Sequence, residues 1–151
     1  MAASKRILLA DDHASDVELT LAALAEQHLA QEAEVVADGA QALDYLFRRG
    51  LFADRSAGNP AVVLLDLALP RAGGLEIVRA IRADPLLSPI PVVIFTSAGE
   101  PGDIVAGYKA GVNGYVVKPV DPGEYANAIQ HVSSYWAVIN EQPVGSSPNF
   151  R

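Results

Sequence analysis

Four of the five short apolar runs in this chain end on polar residues able to do chemistry. The first run stops at Asp11 and Asp12, the third at Asp66 and the fourth at Thr96, while the fifth is followed by Lys118 and Pro119. Three carboxylates gathered at one place repel each other and raise each other's proton affinity unless a cation offsets them, so this set predicts a bound metal. With only oxygen donors the expected ion is Mg²⁺, which one or two carboxylates can hold together with waters and phosphate oxygens. That leaves one carboxylate as a nucleophile, and Asp66 is the central candidate. Phosphoryl transfer to a carboxylate needs in-line positioning and positive charge around the equatorial oxygens. The Lys118 ammonium, the Thr96 hydroxyl and the metal supply both without a general base.

Convergence requires a particular arrangement of elements. Strand-like runs cover Arg6 to Ala10, Glu34 to Ala37, Ala61 to Leu65, Pro91 to Phe95 and Gly114 to Val117. Three are continuously apolar, as parallel strands covered on both faces are. Between them lie helical patterns. The first places Val17, Leu21, Leu24 and His28 on one face, with Ser15 and Glu18 as a capping box. The second runs over Ala40 to Arg49. The third turns Ile77, Val78 and Ile81 inward and stops near Asp84 because Pro85 follows, and the fourth runs from Asp103 to Ala110 and ends at Gly111. The last starts at Asp121 as cap, with Pro122 in the first helical position and Glu124 reaching back, and carries the stripe Tyr125, Ile129, Val132, Trp136, Ile139. Strand and helix alternate five times, which with right-handed crossovers gives a doubly wound α/β fold: a flavodoxin-like five-stranded parallel sheet, order 2-1-3-4-5, flanked by five helices. In such a sheet ligands sit at the carboxyl ends of the strands, where the five polar residues fall.

Composition bounds the rest. The 151 residues suffice for one domain with its own core, expected over residues 1–139, with 140–151 as a tail that is flexible or forms an interface. A net charge of −7 argues against nucleic acid as partner, since phosphate backbones are gripped by clustered Lys and Arg. No apolar run approaches the ~20 residues of a membrane-spanning helix. With no cysteine and no signal-peptide core after Met1, the expected location is cytoplasmic. His13, His28 and His131 are scattered over different elements and receive no metal role, although His13 borders the acidic cluster.

The motifs Leu9-Ala10-Asp11-Asp12, Leu64-Leu65-Asp66-Leu67, Leu69-Pro70, Gly74, Thr96-Ser97 and Lys118-Pro119 resemble those of response-regulator receiver domains over roughly residues 5 to 137. The resemblance implies a phosphoacceptor at Asp66, a Mg²⁺ site from Asp11, Asp12, Asp66 and the Ala68 backbone carbonyl, phosphoryl binding by Lys118 and Thr96, and a switch formed by Thr96 and Tyr115. It also implies a sensor histidine kinase as phosphodonor. The chain's only catalysis would be its own phosphotransfer and the later loss of the phosphate. Two local departures stand out: Arg71-Ala72-Gly73-Gly74 where Met-Asp-Gly is usual, and His13 where Asn or Glu is frequent. The small Ala68 leaves an opening beside the acyl phosphate. More narrowly, the long connection Leu51 to Pro60, the Thr96-Ser97 pair and the Tyr135-Trp136 ending resemble the single-domain regulators that work with bacterial phytochromes.

Other readings of the same residues make distinct demands. A Mg²⁺-dependent phosphatase with an Asp nucleophile needs an Asp-x-Asp pair after the first strand, whereas Asp11 and Asp12 are adjacent. A phosphorylation-independent adaptor would have lost the acidic site, which is intact. Large aromatics close to the chain end mark interfaces, so a homodimer is expected through Tyr125, Ile129, Tyr135, Trp136 and Ile139. Output would pass through such protein contacts, since no DNA-binding segment follows.

Overall fold

The computed structural model describes residues 5–143. β1 (Ile7–Ala10), β2 (Ala33–Val36), β3 (Val62–Leu65), β4 (Val92–Thr96) and β5 (Gly114–Val117) form one parallel sheet in the order β2-β1-β3-β4-β5. Between and after them run α1 (Ala14–Glu26), α2 (Gly39–Phe47), α3 (Gly74–Ala83), α4 (Pro101–Ala110) and α5 (Pro122–Ser133). The expected flavodoxin-like architecture is the observed one.

Alternation along each strand splits the core in two. Leu8, Ala10, Val63, Leu65, Val92 and Ile94 face Tyr45, Leu46, Ile77, Val78 and Ile81 of α2 and α3. Ile7, Leu9, Val62, Leu64, Val93 and Phe95 face Ala23 and Leu24 of α1 and Tyr125 and Ile129 of α5. The central strands are wholly buried because helices cover both faces of the sheet, which explains their unbroken apolar sequence. Each removal of one of these large side chains would cost about 2–5 kcal/mol.

Helix ends follow local chemistry, with one exception. Asp121 caps α5 by accepting from the Glu124 N–H at 2.9 Å, with Pro122 at the first position as expected, and α4 ends on Gly111 at φ 110°. The exception is α1, where the capping box of Ser15 and Glu18 does not form. His13 is the N-cap residue and makes no side-chain cap bond, because the helix starts directly after the Asp11-Asp12 turn and leaves Ser15 inside its first turn. His28 likewise does not continue the inward face. The helix ends at Glu26, and His28 is exposed in the left-handed region at φ 59°.

The chain end departs more informatively. After α5 the backbone winds on as a π-helix over Ser134–Ile139, and the Asn140 N–H donates to the Tyr135 carbonyl five residues back. A wider turn moves the inward stripe to spacing four, so Tyr125, Ile129, Ser133 and Ala137 are buried. Tyr125 and Ile129 are 2% and 0% exposed and therefore belong to the monomer's own core, which corrects their placement on a dimer face. Trp136 is half-buried, edge-on to Tyr135 and packed against the core. Exposed are Tyr135, Val138 and Ile139. Most of the expected tail over 140–151 lies outside the described residues.

Candidate functional site

The backbone ladder carries the acids one residue past their strands. The Asp11 N–H donates to the Val36 carbonyl at 3.1 Å and the Asp66 N–H to the Ala10 carbonyl at 2.9 Å, which fixes both side chains at the central switch point of the sheet. On the other side, the Lys118 N–H donates to the Thr96 carbonyl at 2.8 Å and holds the Lys118-Pro119 turn against β4. Asp11, Asp66, Thr96 and Lys118 are all nearly fully buried polar residues.

Lys118 organises the pocket. Its Nζ donates to Asp11 Oδ2 at 2.9 Å, Asp66 Oδ2 at 2.8 Å and Asp16 Oδ2 at 2.8 Å. An ammonium has three N–H donors, and all three are engaged. Burial alone would lower the proton affinity of Lys118, but the carboxylates of Asp16, Asp66 and Asp11 outweigh it and raise the pKa well above the ordinary lysine value. Asp66 shows the reciprocal effect. Burial pushes its carboxyl up, yet the bonds from Lys118, from the Ala68 N–H at 3.0 Å and from the Thr96 hydroxyl at 2.8 Å hold it below the usual carboxylate range. Three donors thus fix the Asp66 carboxylate in place.

Three carboxylates, those of Asp11, Asp16 and Asp66, surround the ammonium and a fourth, Asp12, approaches His13, which gives the site a formal charge of −4 + 1 = −3 with His13 neutral. That excess suits a divalent cation. Asp11, His13 and Asp66 each offer a ligand atom within 4.8 Å of one another, and the Asp12 carboxylate reaches the same point through its approach to His13 at 3.3 Å. The donor set therefore fits a hard divalent ion, and the Ala68 N–H donates to the same Asp66 carboxylate. Ala68 itself is exposed, while the Asp66 side chain beside it is buried.

Tyr115 is anchored to the loop after β4. Its hydroxyl donates to the Ala98 carbonyl in the loop after β4, and its ring lies where a side chain on Gly107 of α4 would have to pass. Two residues missed by sequence reasoning belong to the site. Asp16 reads as an ordinary acid in the first turn of a helix, where it complements the dipole, and nothing local shows that Lys118 arrives from 102 residues away. His13 reads as a lone histidine, but its Nδ1 approaches Asp11, Asp12 and Asp66 together.

A doubly wound sheet whose carboxyl edge gathers Asp11, Asp12, Asp66, Thr96 and Lys118 is the receiver arrangement, and the sequence profile of the response regulator receiver domain matches residues 7–130. The chain belongs to this family, whose members are signalling proteins. Among its relatives, the response regulator Rcp1 of Synechocystis is 31% identical over 87% of this chain and 88% of its own length. The phosphorylated cyanobacterial phytochrome response regulator RcpA superposes with a TM-score of 0.84 at 32% identity, covering 92% of this chain and 98% of its own. The bacteriophytochrome response regulator RtBRR is 51% identical over 97% of this chain and 87% of its own, with a TM-score of 0.73. A structure of Rcp1 in its Mn²⁺-bound form aligns with a TM-score of 0.82 at 29% identity, over 95% of this chain and 99% of that one. The protein is thus a receiver of the Rcp1 and bacteriophytochrome-regulator kind. None of its helices among the described residues is long and apolar enough to cross a membrane.

Proposed function

We propose that the chain accepts a phosphoryl group from a sensor histidine kinase, of the bacteriophytochrome class, on Asp66. The observation that carries this is the Asp66 carboxylate, held by Lys118, Thr96 and the Ala68 N–H beside the small, exposed Ala68. An Asp66 oxygen attacks phosphorus, the phosphorus–nitrogen bond of the donor phosphohistidine breaks, and the released imidazole takes a proton from solvent. Asp11, Asp12, Asp66 and the Ala68 carbonyl would hold Mg²⁺, which when bound offsets charge on the phosphoryl oxygens. Lys118 gives up its bond to Asp66 Oδ2 in favour of a phosphoryl oxygen, and Asp11 and Asp16 keep the ammonium at the site. The Thr96 hydroxyl moves from Asp66 Oδ1 to the phosphoryl group.

Phosphorylation adds a charge of about −1.5 to −2 at this point. The shift of Thr96 frees space beneath β4, and the Tyr115 ring, pinned by its bond to Ala98, follows the loop before α4. The face of α4, β5 and α5 thereby changes for a partner. The donor assignment rests on similarity to phytochrome regulators. It is tested by mixing the chain with an autophosphorylated bacteriophytochrome kinase: label passes to wild type and not to Asp66→Asn, and transfer to neither would refute the donor.

The receiver also forms a homodimer through the π-helical end, where Tyr135, Val138 and Ile139 are 48%, 60% and 65% exposed beside half-buried Trp136. At about tens of micromolar, sedimentation should give a dimer for wild type and a monomer for Ile139→Asp. A monomeric wild type would remove the proposal. Cytoplasmic location follows from a kinase partner of this kind, and loss of phosphate occurs beside the exposed Ala68.

A further inference from the structure

His13 has no part in the phosphoryl chemistry described above, yet its Nδ1 is the point where the carboxylates meet. It lies 3.1 Å from Asp11 Oδ1, 3.3 Å from Asp12 Oδ1 and 3.3 Å from Asp66 Oδ2. Burial does not force it there, since the side chain is 53% exposed. Its own backbone N–H already satisfies Asp11 Oδ1 at 2.9 Å, so the ring is not needed to pair that oxygen. Neighbouring ligand atoms on an octahedral ion with bonds of about 2.1 Å stand about 3.0 Å apart, close to the spacing seen here.

We propose that His13 Nδ1 is a ligand of the divalent ion held by Asp11, Asp12 and Asp66, and that it turns a site for hard ions into one that favours transition ions. The inference rests on the metal reading of the acidic cluster given above. A site of carboxylates, a carbonyl and water discriminates little among Mg²⁺, Ca²⁺ and Mn²⁺, whereas an imidazole nitrogen adds affinity along the series from Mn²⁺ to Ni²⁺ and almost none for Mg²⁺. The chain would then remain competent with Mg²⁺ while a scarcer transition ion competes for the same pocket.

A hydrogen-bonding role for His13 has the opposite signature. A ring that only donates to the carboxylates competes with every cation, so removing it would tighten all divalent ions alike. The test is titration calorimetry of the chelator-stripped full chain with Mg²⁺, Mn²⁺ and Ni²⁺, for wild type, His13→Ala and His13→Asn. The Asn variant keeps a favourable residue at the N-cap of α1 and guards against a folding defect. His28 and His131 remain in all three proteins, so any background from them cancels.

The expected result is a fall of about ten-fold or more in the Ni²⁺-to-Mg²⁺ affinity ratio in both variants, with Mg²⁺ affinity changed by less than about two-fold. Electron spin-echo spectra of the Mn²⁺-loaded wild type should carry nitrogen modulation that both variants lose. An unchanged ratio, uniformly tighter binding or a wild-type spectrum without nitrogen modulation overturns the proposal. If wild type accepts phosphate on Asp66 with Mg²⁺, such a failure concerns His13 alone. Absence of any divalent binding in wild type would overturn the metal reading itself.

Discussion

Lys118→Ala is expected to lower stability by about 3 kcal/mol in metal-free buffer and to regain much of that loss when Mg²⁺ is added. The basis is the bonding of one ammonium to Asp11, Asp16 and Asp66 at 2.8–2.9 Å, with the Lys118 side chain 4% exposed. Removing the cation leaves buried like charges facing each other, a defect that costs about 3–5 kcal/mol when one partner of a buried pair is deleted. The lower end applies because Asp16 and Asp12 stay partly wetted, at 27% and 36% side-chain exposure. For a chain of this size about 3 kcal/mol is about 6–12 °C in melting temperature. A divalent cation replaces the lost charge, so melting with and without Mg²⁺ should differ more in the variant than in wild type. A variant that melts like wild type in chelator, or ignores Mg²⁺, would show that Lys118 is not the charge that holds the carboxylates together.

A loss of similar size is expected for Arg55→Ala, for a different reason. Arg55 lies in the long connection between α2 and β3 and is only 2% exposed. Its Nε donates to the Tyr45 carbonyl at 2.7 Å, its Nη1 to the carbonyls of Ser56 and Gly58 at 2.9 and 3.0 Å, and its Nη2 to that of Leu46 at 3.3 Å, while the guanidinium stacks on the Tyr45 ring at 4.2 Å. One side chain thus ties the loop to the C-terminal turn of α2. Truncation removes the guanidinium donors from four carbonyls and the stacking on Tyr45, and a loss of about 1–3 kcal/mol per uncompensated buried group makes about 3 kcal/mol in total the expected cost. Arg55→Lys should recover little, because a single ammonium cannot reach four acceptors spread over a planar fork. Denaturant melts of the three proteins decide this. Full recovery by lysine would mean that charge, not the geometry of the fork, fixes the loop.

What the sequence reveals and what it hides follow from the same physics. Parallel strands covered on both faces appear as unbroken apolar runs, so the polar residue after each run marks the edge of the sheet. That is why Asp11, Asp66, Thr96 and Lys118 are recognisable from the sequence. Contacts made across the chain leave no such trace. Asp16 sits one turn into α1 and meets Lys118 only because β1 and β5 deliver their ends to the same edge. His13 borders the acidic cluster in the sequence but carries no sign of a role there, and Arg55 lies in a stretch without periodicity. The dimer stripe failed in part for a geometric reason. Helical spacing extended through Trp136 and Ile139 assumed 3.6 residues per turn, whereas the π-helical end shifts burial to Ser133 and Ala137 and exposes Val138 instead.

The central claim, that Asp66 is the phosphoacceptor, meets its most direct test in the intact mass of the chain after incubation with acetyl phosphate. With Mg²⁺, wild type should gain a single increment of about 80 Da, the size of one phosphoryl group. The increment should be absent with a chelator and absent in Asp66→Asn. Wild type that gains no mass, or an Asp66→Asn variant that gains the same mass, would contradict the account.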